Sequence, residues 1–206
     1  MPQSRRYKKK KSAGKAILAW IIVLAILAAA VFVFVSVFYE DAKKKLDEMN
    51  YPRTYSTYVE KAAKDYDLDP ALIYAVIHTE SGFDPKAESG VGAKGVMQMM
   101  PSSFEWLQEQ RGCAGQYTED DLFDPEICID YGSYLLKYFY DYYGTERSAI
   151  AAYNAGFVVS DWLNDTNYSS DGKNLDSIAY PETKNYVDKV ESAKEMYIKL
   201  YYSQSN

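Results

Sequence analysis

The sequence predicts a mainly α-helical domain that follows a single transmembrane helix. Three observations support this fold class. An uncharged run of membrane-spanning length lies near the N-terminus, helix start and stop signals recur through the rest of the chain, and neither alternating strand patterns nor internal repeats are present. With 206 residues, the chain can hold the membrane helix and one domain of ordinary size.

The N-terminal part has the pattern of a membrane anchor. Residues 1–15 form a basic tail without any acid, and residues 16–39 contain no charged side chain. As a helix, the second run is roughly 36 Å long, which is enough to cross a bilayer. Trp20 and Tyr39 lie near its ends, where aromatic rings favour the headgroup region. We therefore expect a single-pass anchor in the cytoplasmic membrane, with the basic tail in the cytoplasm and the rest of the chain outside.

A cleaved signal peptide is the alternative interpretation of this segment. The small residues of AILAAA could serve a signal peptidase. Signal peptides, however, usually have an apolar core of only about 7 to 15 residues, and the run here is longer. The length therefore favours an anchor that is retained.

Charge is distributed unevenly along the chain. All 29 acidic residues and 16 of the 23 basic ones lie after residue 39, so the exported part has a net charge of −13. Such a surface binds polyphosphate backbones poorly, and we expect no nucleic-acid partner. The basic tail beside the membrane span is better explained by topology than by nucleic-acid binding.

The two cysteines, Cys113 and Cys128, both lie in the exported part. An even count in an oxidising compartment indicates a disulfide, which would stabilise the fold by roughly 3 kcal/mol. Two separate buried thiols are the alternative. His78 is the only histidine, so no Cys/His spacing indicates a metal site, and no cofactor is expected.

Capping signals define the helices of the exported part, after a charged stalk at residues 40–52. The domain itself is expected to occupy residues 53–206. Its clearest helices should run from Asp69-Pro70 to Gly82, from Asp124-Pro125 to Gly144, through ERSAIAAYNAG to Gly156, and from Pro181 to about Tyr201. The Gly- and Ser-rich region 84–100 should be an ordered loop with at most a small hairpin.

Glu80 is an unusual residue for its position. It follows Ile73, Val76 and Ile77 on one helix face, just before the Gly82 that should end the helix. Desolvation by this stripe and the negative end of the helix dipole both disfavour the carboxylate, so its pKa should rise. A carboxyl group that stays protonated near neutral pH can act as a general acid. The alternative is an ordinary exposed glutamate at a helix end.

Three downstream segments change the weight of these two interpretations. The stretches ESGFDPKAESGVGAKGVMQMMPSSF, AAYNAG and YPETKNYV resemble, in order, the three signature regions of lytic transglycosylases of the soluble-enzyme, goose-type lysozyme-like family. The resemblance covers roughly residues 54–200 and implies a lysozyme-like helical fold. Val96 departs from the family's usual leucine, which is a mild apolar exchange. The anchor and the stalk lie outside the shared region.

The resemblance implies an enzyme that cleaves the β-1,4 bond between N-acetylmuramic acid and N-acetylglucosamine in peptidoglycan. In that family one carboxylate, here Glu80, protonates the glycosidic oxygen and then acts as base toward the C6 hydroxyl of the same muramic acid. The product therefore ends in a 1,6-anhydro ring. Ordinary glycosidases use two carboxylates. The candidate second acids are Asp84, Glu88 and Glu182, and none of them occupies a nucleophile position of the family.

Seven other positions match residues that line the glycan cleft in that family. They are Ser89, Gln98 and Met100 in the first segment, Tyr153 and Asn154 in the second, and Glu182 and Tyr186 in the third. The resemblance places the tyrosine hydroxyl of AAYNAG near the catalytic carboxylate. Several positions also have a structural interpretation. Ser89 could solvate its loop, and Gln98 could hold the loop together. Glu182 could be an acid of the first helix turn, where the helix dipole favours negative charge.

Three functions follow from these observations. The first is a membrane-anchored lytic transglycosylase that acts on peptidoglycan glycan strands. The second is a hydrolytic muramidase on the same fold, in which another acid guides water. The third is a wall-binding module of a secretion, conjugation or sporulation apparatus without catalysis. The motifs favour the first, and the identity of any larger envelope machinery stays open.

Overall fold

The structure is a computed structural model that describes residues 8–203. The chain divides into two compact units, Met1–Asn50 and Tyr51–Asn206. The first seven residues of the predicted basic tail lie outside the described residues.

The first unit consists of one long helix, α1 (Lys8–Asn50). Its apolar side chains from Ile17 to Tyr39 are exposed, and its most apolar window has a mean hydropathy of 3.2. Among residues 8–203, α1 is the one helix long and apolar enough to cross a membrane. A signal sequence near the N-terminus can pass the same test of hydropathy, so the test alone does not distinguish it from a membrane span. The predicted stalk, residues 40–52, is helical as far as Asn50.

The second unit is helical throughout its regular parts. Its elements are α2 (Ser56–Tyr66), α3 (Pro70–Ser81), α4 (Pro101–Gln110), a 3₁₀ turn (Glu119–Phe123), α5 (Pro125–Tyr143), α6 (Glu146–Ala155), a second 3₁₀ turn (Gly156–Val158), α7 (Val159–Leu163), α8 (Pro181–Tyr197) and a π turn (Ile198–Tyr202). Within residues 8–203 no strand forms, and two isolated bridges join Lys94 to Glu88 and Met99. The prediction of a mainly helical domain is thus confirmed.

Helix boundaries follow from the capping residues in the sequence. Asp69 accepts a hydrogen bond from the backbone N–H of Ala71 at 2.9 Å, and Asp124 accepts one from Glu126 at 2.9 Å. Proline occupies the next position in both helices, where its missing N–H costs nothing. At the other end of α3, Gly82 adopts φ +59° and its N–H bonds to the carbonyl of His78.

Helix α3 lies at the centre of the core and packs against α8 and α2, while α5 packs against α6 and α2. Residues 71–77 of α3 are buried on all sides, which explains why the whole segment is apolar and lacks a polar face. A helix enclosed in this way is held rigidly. It can therefore place the residues of its last turn accurately.

The C-terminal residues of this unit are bound to its first residues by tyrosine hydroxyls. These contacts, here called the C-terminal clasp, join Tyr197 Oη to the Pro52 carbonyl (3.1 Å), Tyr201 Oη to the Tyr51 carbonyl (2.8 Å) and Tyr202 Oη to Glu60 Oε1 (2.8 Å). The guanidinium of Arg53 lies 5.4 Å from the ring centroids of both Tyr201 and Tyr202. The last two residues of the predicted stalk therefore belong to the second unit.

The predicted disulfide between Cys113 and Cys128 is wrong, because both cysteines are free. The Cys113 sulfur lies 3.3 Å from the hydroxyl of Tyr131. The Cys128 sulfur is buried and accepts a hydrogen bond from the N–H of Met97 at 3.4 Å. The two thiols thus occupy different environments, and burial raises the pKa of Cys128 to about 12.

Candidate active site

Glu80 lies in the last turn of α3, one residue before the end of that helix. The residue keeps partial exposure, so ligands can approach it, yet burial of the carboxyl raises its pKa to about 7. Tyr186 has a smaller opposing effect on this pKa through an interaction with the carboxyl. The direction of the shift agrees with the sequence prediction, and desolvation is its main cause.

Two tyrosines from other helices flank this carboxyl. Burial raises the pKa of both Tyr153 of α6 and Tyr186 of α8 well above the ordinary value, and the charge of Glu80 adds to the effect. Tyr153 donates its hydroxyl proton to the Met97 carbonyl at 2.9 Å. Within residues 8–203 the buried Tyr186 hydroxyl has no partner at hydrogen-bonding geometry. It therefore remains available to Glu80 or to a ligand.

Ser81 joins the end of α3 to the loop that faces the site. Its hydroxyl donates to the Val96 carbonyl at 2.8 Å and accepts from the Phe83 N–H at 3.1 Å. This residue follows Glu80 directly, so the bond fixes the loop relative to the acid. No local sequence pattern identifies Ser81 as a residue of the site. A small hydroxyl at a helix end resembles ordinary capping, and only the fold brings Val96 within its reach.

The loop at residues 94–100 rests directly on α5. Gly95 has φ +77°, and a Cβ atom there would lie 2.0 Å from the Leu122 carbonyl oxygen and 2.9 Å from the Cys128 sulfur. Beside it, Met97 packs so closely on Gly132 that a Cβ there would lie 2.5 Å from the Met97 sulfur. Both glycines are required for this close approach.

Gln98 and Ser89 make structural bonds within their own loops. The Gln98 amide donates to the carbonyls of Ala87 at 3.1 Å and Gly95 at 3.0 Å, and its backbone has φ +48°. Ser89 Oγ accepts from the N–H of Ala93 at 3.0 Å. A non-glycine residue at positive φ is strained and is held only by such contacts. These bonds agree with the structural interpretation of both residues and leave the Gln98 side-chain carbonyl as an acceptor for a ligand.

The remaining predicted residues occupy the ends of neighbouring helices. Met100 is exposed at the N-cap of α4, whereas Met97 and Met99 are buried in the core. Asn154 is exposed in α6, and its side-chain oxygen accepts from the Thr183 hydroxyl of α8 at 2.7 Å. Glu182 is exposed in the first turn of α8.

Burial is the main cause of the raised pKa of Glu80, and the interaction with Tyr186 opposes it in part. Asp84 is exposed and accepts from the Lys86 N–H at 2.8 Å, and Glu88 is exposed at an isolated bridge. In the part of the chain that the structure describes, no group of three His, Cys, Asp or Glu side chains could hold a metal ion. His78 stacks on Tyr51 with ring centroids 4.9 Å apart, and burial lowers its pKa.

Comparison with known proteins agrees with this geometry. A family model described as "Transglycosylase SLT domain" matches residues 57–175. The soluble lytic murein transglycosylase of Escherichia coli (strain K12) is 32% identical over 146 residues, which are 69% of this chain and 23% of that protein. The membrane-bound lytic murein transglycosylase C of Actinobacillus succinogenes is 35% identical over 113 residues, 50% of this chain and 32% of that protein.

A solved structure shows the same fold. The lytic transglycosylase Slt of Pseudomonas aeruginosa, solved as an inactive mutant with glutamine in place of a glutamate, superposes with a TM-score of 0.64 at 28% identity. The match covers 74% of this chain and 25% of that one. The chain thus spans about a quarter to a third of the length of these proteins. The lysozyme-like fold expected from the sequence is confirmed.

Proposed function

Because the chain belongs to the transglycosylase SLT domain family, we propose that it is a peptidoglycan lytic transglycosylase anchored in a membrane. Its substrate is the glycan strand of the cell wall, and the bond cleaved is the β-1,4 linkage from N-acetylmuramic acid to N-acetylglucosamine. The names of the similar proteins, lytic murein transglycosylases, support this substrate class. Glu80 is the residue that carries the chemistry.

The reaction consists of two proton transfers by the same carboxyl group. Glu80 first donates its proton to the glycosidic oxygen, which leaves with N-acetylglucosamine as the bond to C1 of the muramic acid breaks. The resulting carboxylate then removes the proton of the C6 hydroxyl, and that oxygen bonds to C1. A 1,6-anhydro ring closes, Glu80 regains its proton, and no water is consumed.

The single observation that carries this proposal is the isolation of a protonated acid. At a pKa of about 7, a large fraction of Glu80 is protonated in neutral solution and can act as the general acid. Two-carboxylate glycosidases hold their acids about 5 to 9.5 Å apart, on either side of the bond that is cleaved. Asp84 and Glu88, the acids that follow Glu80 most closely in the sequence, are both exposed and make contacts within their own loop. This favours a mechanism in which the substrate supplies its own nucleophile.

The surrounding side chains have complementary roles in this proposal. Tyr186 can donate its unused hydroxyl to the Glu80 carboxylate after the first proton transfer. Tyr153 holds the loop through the bond from its hydroxyl to the Met97 carbonyl. Substrate contacts beyond the acid are assigned to Ser89, Gln98, Met100, Asn154 and Glu182.

Product analysis tests the proposal. The full chain in detergent micelles is incubated with purified peptidoglycan, and the released muropeptides are analysed by mass spectrometry. Ends that are one water lighter than hydrolysis products, and therefore anhydro-muramyl, support the lytic reaction. Ordinary reducing ends would instead identify a hydrolytic muramidase. The Glu80→Gln variant is the matched control, and if it released products like the parent the catalytic role of Glu80 would be wrong.

The anchor forms a separate part of the proposal. We infer that residues 16–39 of α1 span the cytoplasmic membrane once, with the basic tail inside and the domain outside. The exposed apolar surface of this segment and the name of the membrane-bound relative support this arrangement. The chain should stay in the membrane fraction after alkaline carbonate extraction, and protease added outside should digest the domain. A chain that is processed and released into the medium would contradict retention.

A further inference from the structure

Four aromatic side chains form a continuous row on the surface of the domain, here called the aromatic ladder. It consists of Trp106 from α4, Tyr138 and Tyr142 from α5, and Phe157 from the turn after α6. Ring centroids are 5.0 Å apart for Trp106 and Tyr138, 6.3 Å for Tyr138 and Tyr142, and 5.7 Å for Tyr142 and Phe157. The row therefore presents one connected aromatic surface.

Two of the four rings are open to solvent, whereas Trp106 and Tyr138 are half-buried and pack against the core. Tyr142 is 58% exposed and Phe157 is 50% exposed, although both are large rings. The contacts of Trp106 with Tyr138 and of Tyr142 with Phe157 are edge-to-face, at 87° and 81°. An edge-to-face contact covers one face of one ring, so the other ring faces of each pair are not covered by the partner ring. Clustered exposed rings of this kind are typical of a binding surface.

Two residues of the ladder lie close in sequence to residues of the candidate site. Helix α4, which carries Trp106, begins directly after Met100, and Phe157 follows Asn154 by three residues. The Tyr143 hydroxyl fixes the Phe157 turn through its carbonyl at 3.5 Å and through Ser160 Oγ at 3.1 Å. The two segments that leave the site thus each contribute a ring.

Polar groups accompany the rings along α5. An ion pair joins Lys137 to Asp141, and a shallow groove of about 330 Å³ is lined by these two residues with Tyr134, Tyr138 and Tyr142. Aromatic faces beside hydroxyl and charged groups match a pyranose ring, which has apolar C–H faces and a hydroxyl edge.

We propose that the aromatic ladder binds the peptidoglycan glycan strand beyond the sugars that react at Glu80. Successive sugar rings stack on Phe157 and Tyr142, and the strand is thereby held along α5. This inference rests on the proposed function, since it takes the substrate to be a polymer that extends past the site. It assigns to the ladder a preference for long strands over short ones.

The test compares long and short substrates with single substitutions in the full chain, held in detergent micelles. Phe157→Ala and Tyr142→Ala should each raise KM for long glycan strands by about 3- to 10-fold, the size expected for one aromatic contact, while kcat stays unchanged. Turnover of a tetrasaccharide fragment should be unaffected. Tyr140→Ala is the matched control, because Tyr140 is a 39% exposed tyrosine of the same helix outside the ladder.

A binding measurement separates this inference from the catalytic proposal. Insoluble peptidoglycan is sedimented with the Glu80→Gln chain and with the same chain carrying Phe157→Ala or Tyr142→Ala. Weaker sedimentation of the two ladder variants than of the Tyr140→Ala chain supports the ladder even if no variant has lytic activity. The inference would be overturned if the ladder variants sedimented as much as the Tyr140→Ala chain. It would also be overturned if they lost as much activity on the tetrasaccharide as on long strands. A ladder substitution that changes only the oligomeric mass in light scattering would identify a second copy of the chain as the occupant, and would also overturn it.

Discussion

At the scale of single residues, Glu80 owes its raised pKa to its surroundings and not to a paired charge. Desolvation disfavours the carboxylate, and Tyr186 offsets only part of this effect. The acid therefore needs no neighbouring acid to stay protonated. This property has consequences for both activity and stability, and the two have different pH dependences.

The rate should follow the protonated fraction of Glu80. Because the pKa is about 7, kcat/KM of the parent on peptidoglycan should be nearly constant below that value and should fall about tenfold per pH unit above it. A pH–rate profile from 5 to 9 checks this expectation. A profile that is flat into the alkaline range would exclude the general-acid role.

The stability of the fold should also depend on pH through the protonation of Glu80. The folded-state pKa of about 7 exceeds the ordinary value of 4.5, so the folded state binds the proton more tightly and loses stability as pH rises through this window. The loss amounts to about 3 kcal/mol above pH 7. Glu80→Gln removes it, and its Tm should exceed that of the parent by about 5–10 °C at pH 8.

At pH 5 the same comparison serves as the control. Most of Glu80 is then protonated in the folded state. Because pH 5 lies only about half a pH unit above the ordinary pKa of 4.5, little stability has been lost, and the two Tm values should agree within about 3 °C. Thermal unfolding of the full chain in detergent, followed by near-ultraviolet circular dichroism, gives both values. An equal difference at the two pH values would show that the variant acts through packing and not through charge.

At the scale of elements, the loop at residues 94–100 depends on the surface of α5 beneath it. Ser81 holds it from one side and the Cys128 thiol from the other. The space between loop and helix is too small for a side chain at Gly95. The loop therefore behaves as part of the packed core, although it has no regular structure.

Gly95→Ala should for this reason disrupt the site. The new methyl group would overlap the Leu122 carbonyl at 2.0 Å in a backbone conformation that alanine rarely adopts. We expect a loss of more than about 3 kcal/mol in the free energy of unfolding and little remaining activity. The matched control is Gly92→Ala, whose φ is +88° but whose Cβ would meet nothing within 4 Å. If both variants lost the same stability, backbone strain and not close approach would be the cause.

Much of the helical framework could be predicted from the sequence, because helix ends are local. The aspartate-proline pairs at 69–70 and 124–125 begin α3 and α5 where predicted, and Gly82 and Gly144 follow their last residues. The last helix is an α-helix only to Tyr197 and then becomes a π turn, since contacts with distant residues take over there.

The parts that were not predictable depend on which distant segments meet. No local pattern encodes that the Ser81 hydroxyl bonds to the Val96 carbonyl, or that the Cys128 thiol lies beside the Met97 N–H. The disulfide prediction failed for the same reason, since cysteine count and compartment give no distance between two sulfurs. No local pattern predicts the aromatic ladder, because its members come from three elements that only the fold brings together.

At the scale of the whole molecule, the C-terminal clasp completes the second unit. The hydroxyls of Tyr201 and Tyr202 reach across the domain to Tyr51 and Glu60. The double substitution Tyr201→Phe with Tyr202→Phe keeps the rings and removes both bonds, each worth about 1 kcal/mol. It should lower Tm by about 4–8 °C without changing KM for tetrasaccharide. Tyr140→Phe, on the exposed side of α5, should leave Tm unchanged, and an equal fall in both variants would contradict a role for the clasp.

The same clasp brings the two ends of the folded unit side by side. A domain whose first and last residues adjoin can be spliced into a host polypeptide with only two short connections and without opening its interior. This agrees with the matching segment's share of only about a quarter to a third of the longer relatives. A unit with adjoining ends can thus be joined to different neighbouring domains through short connections.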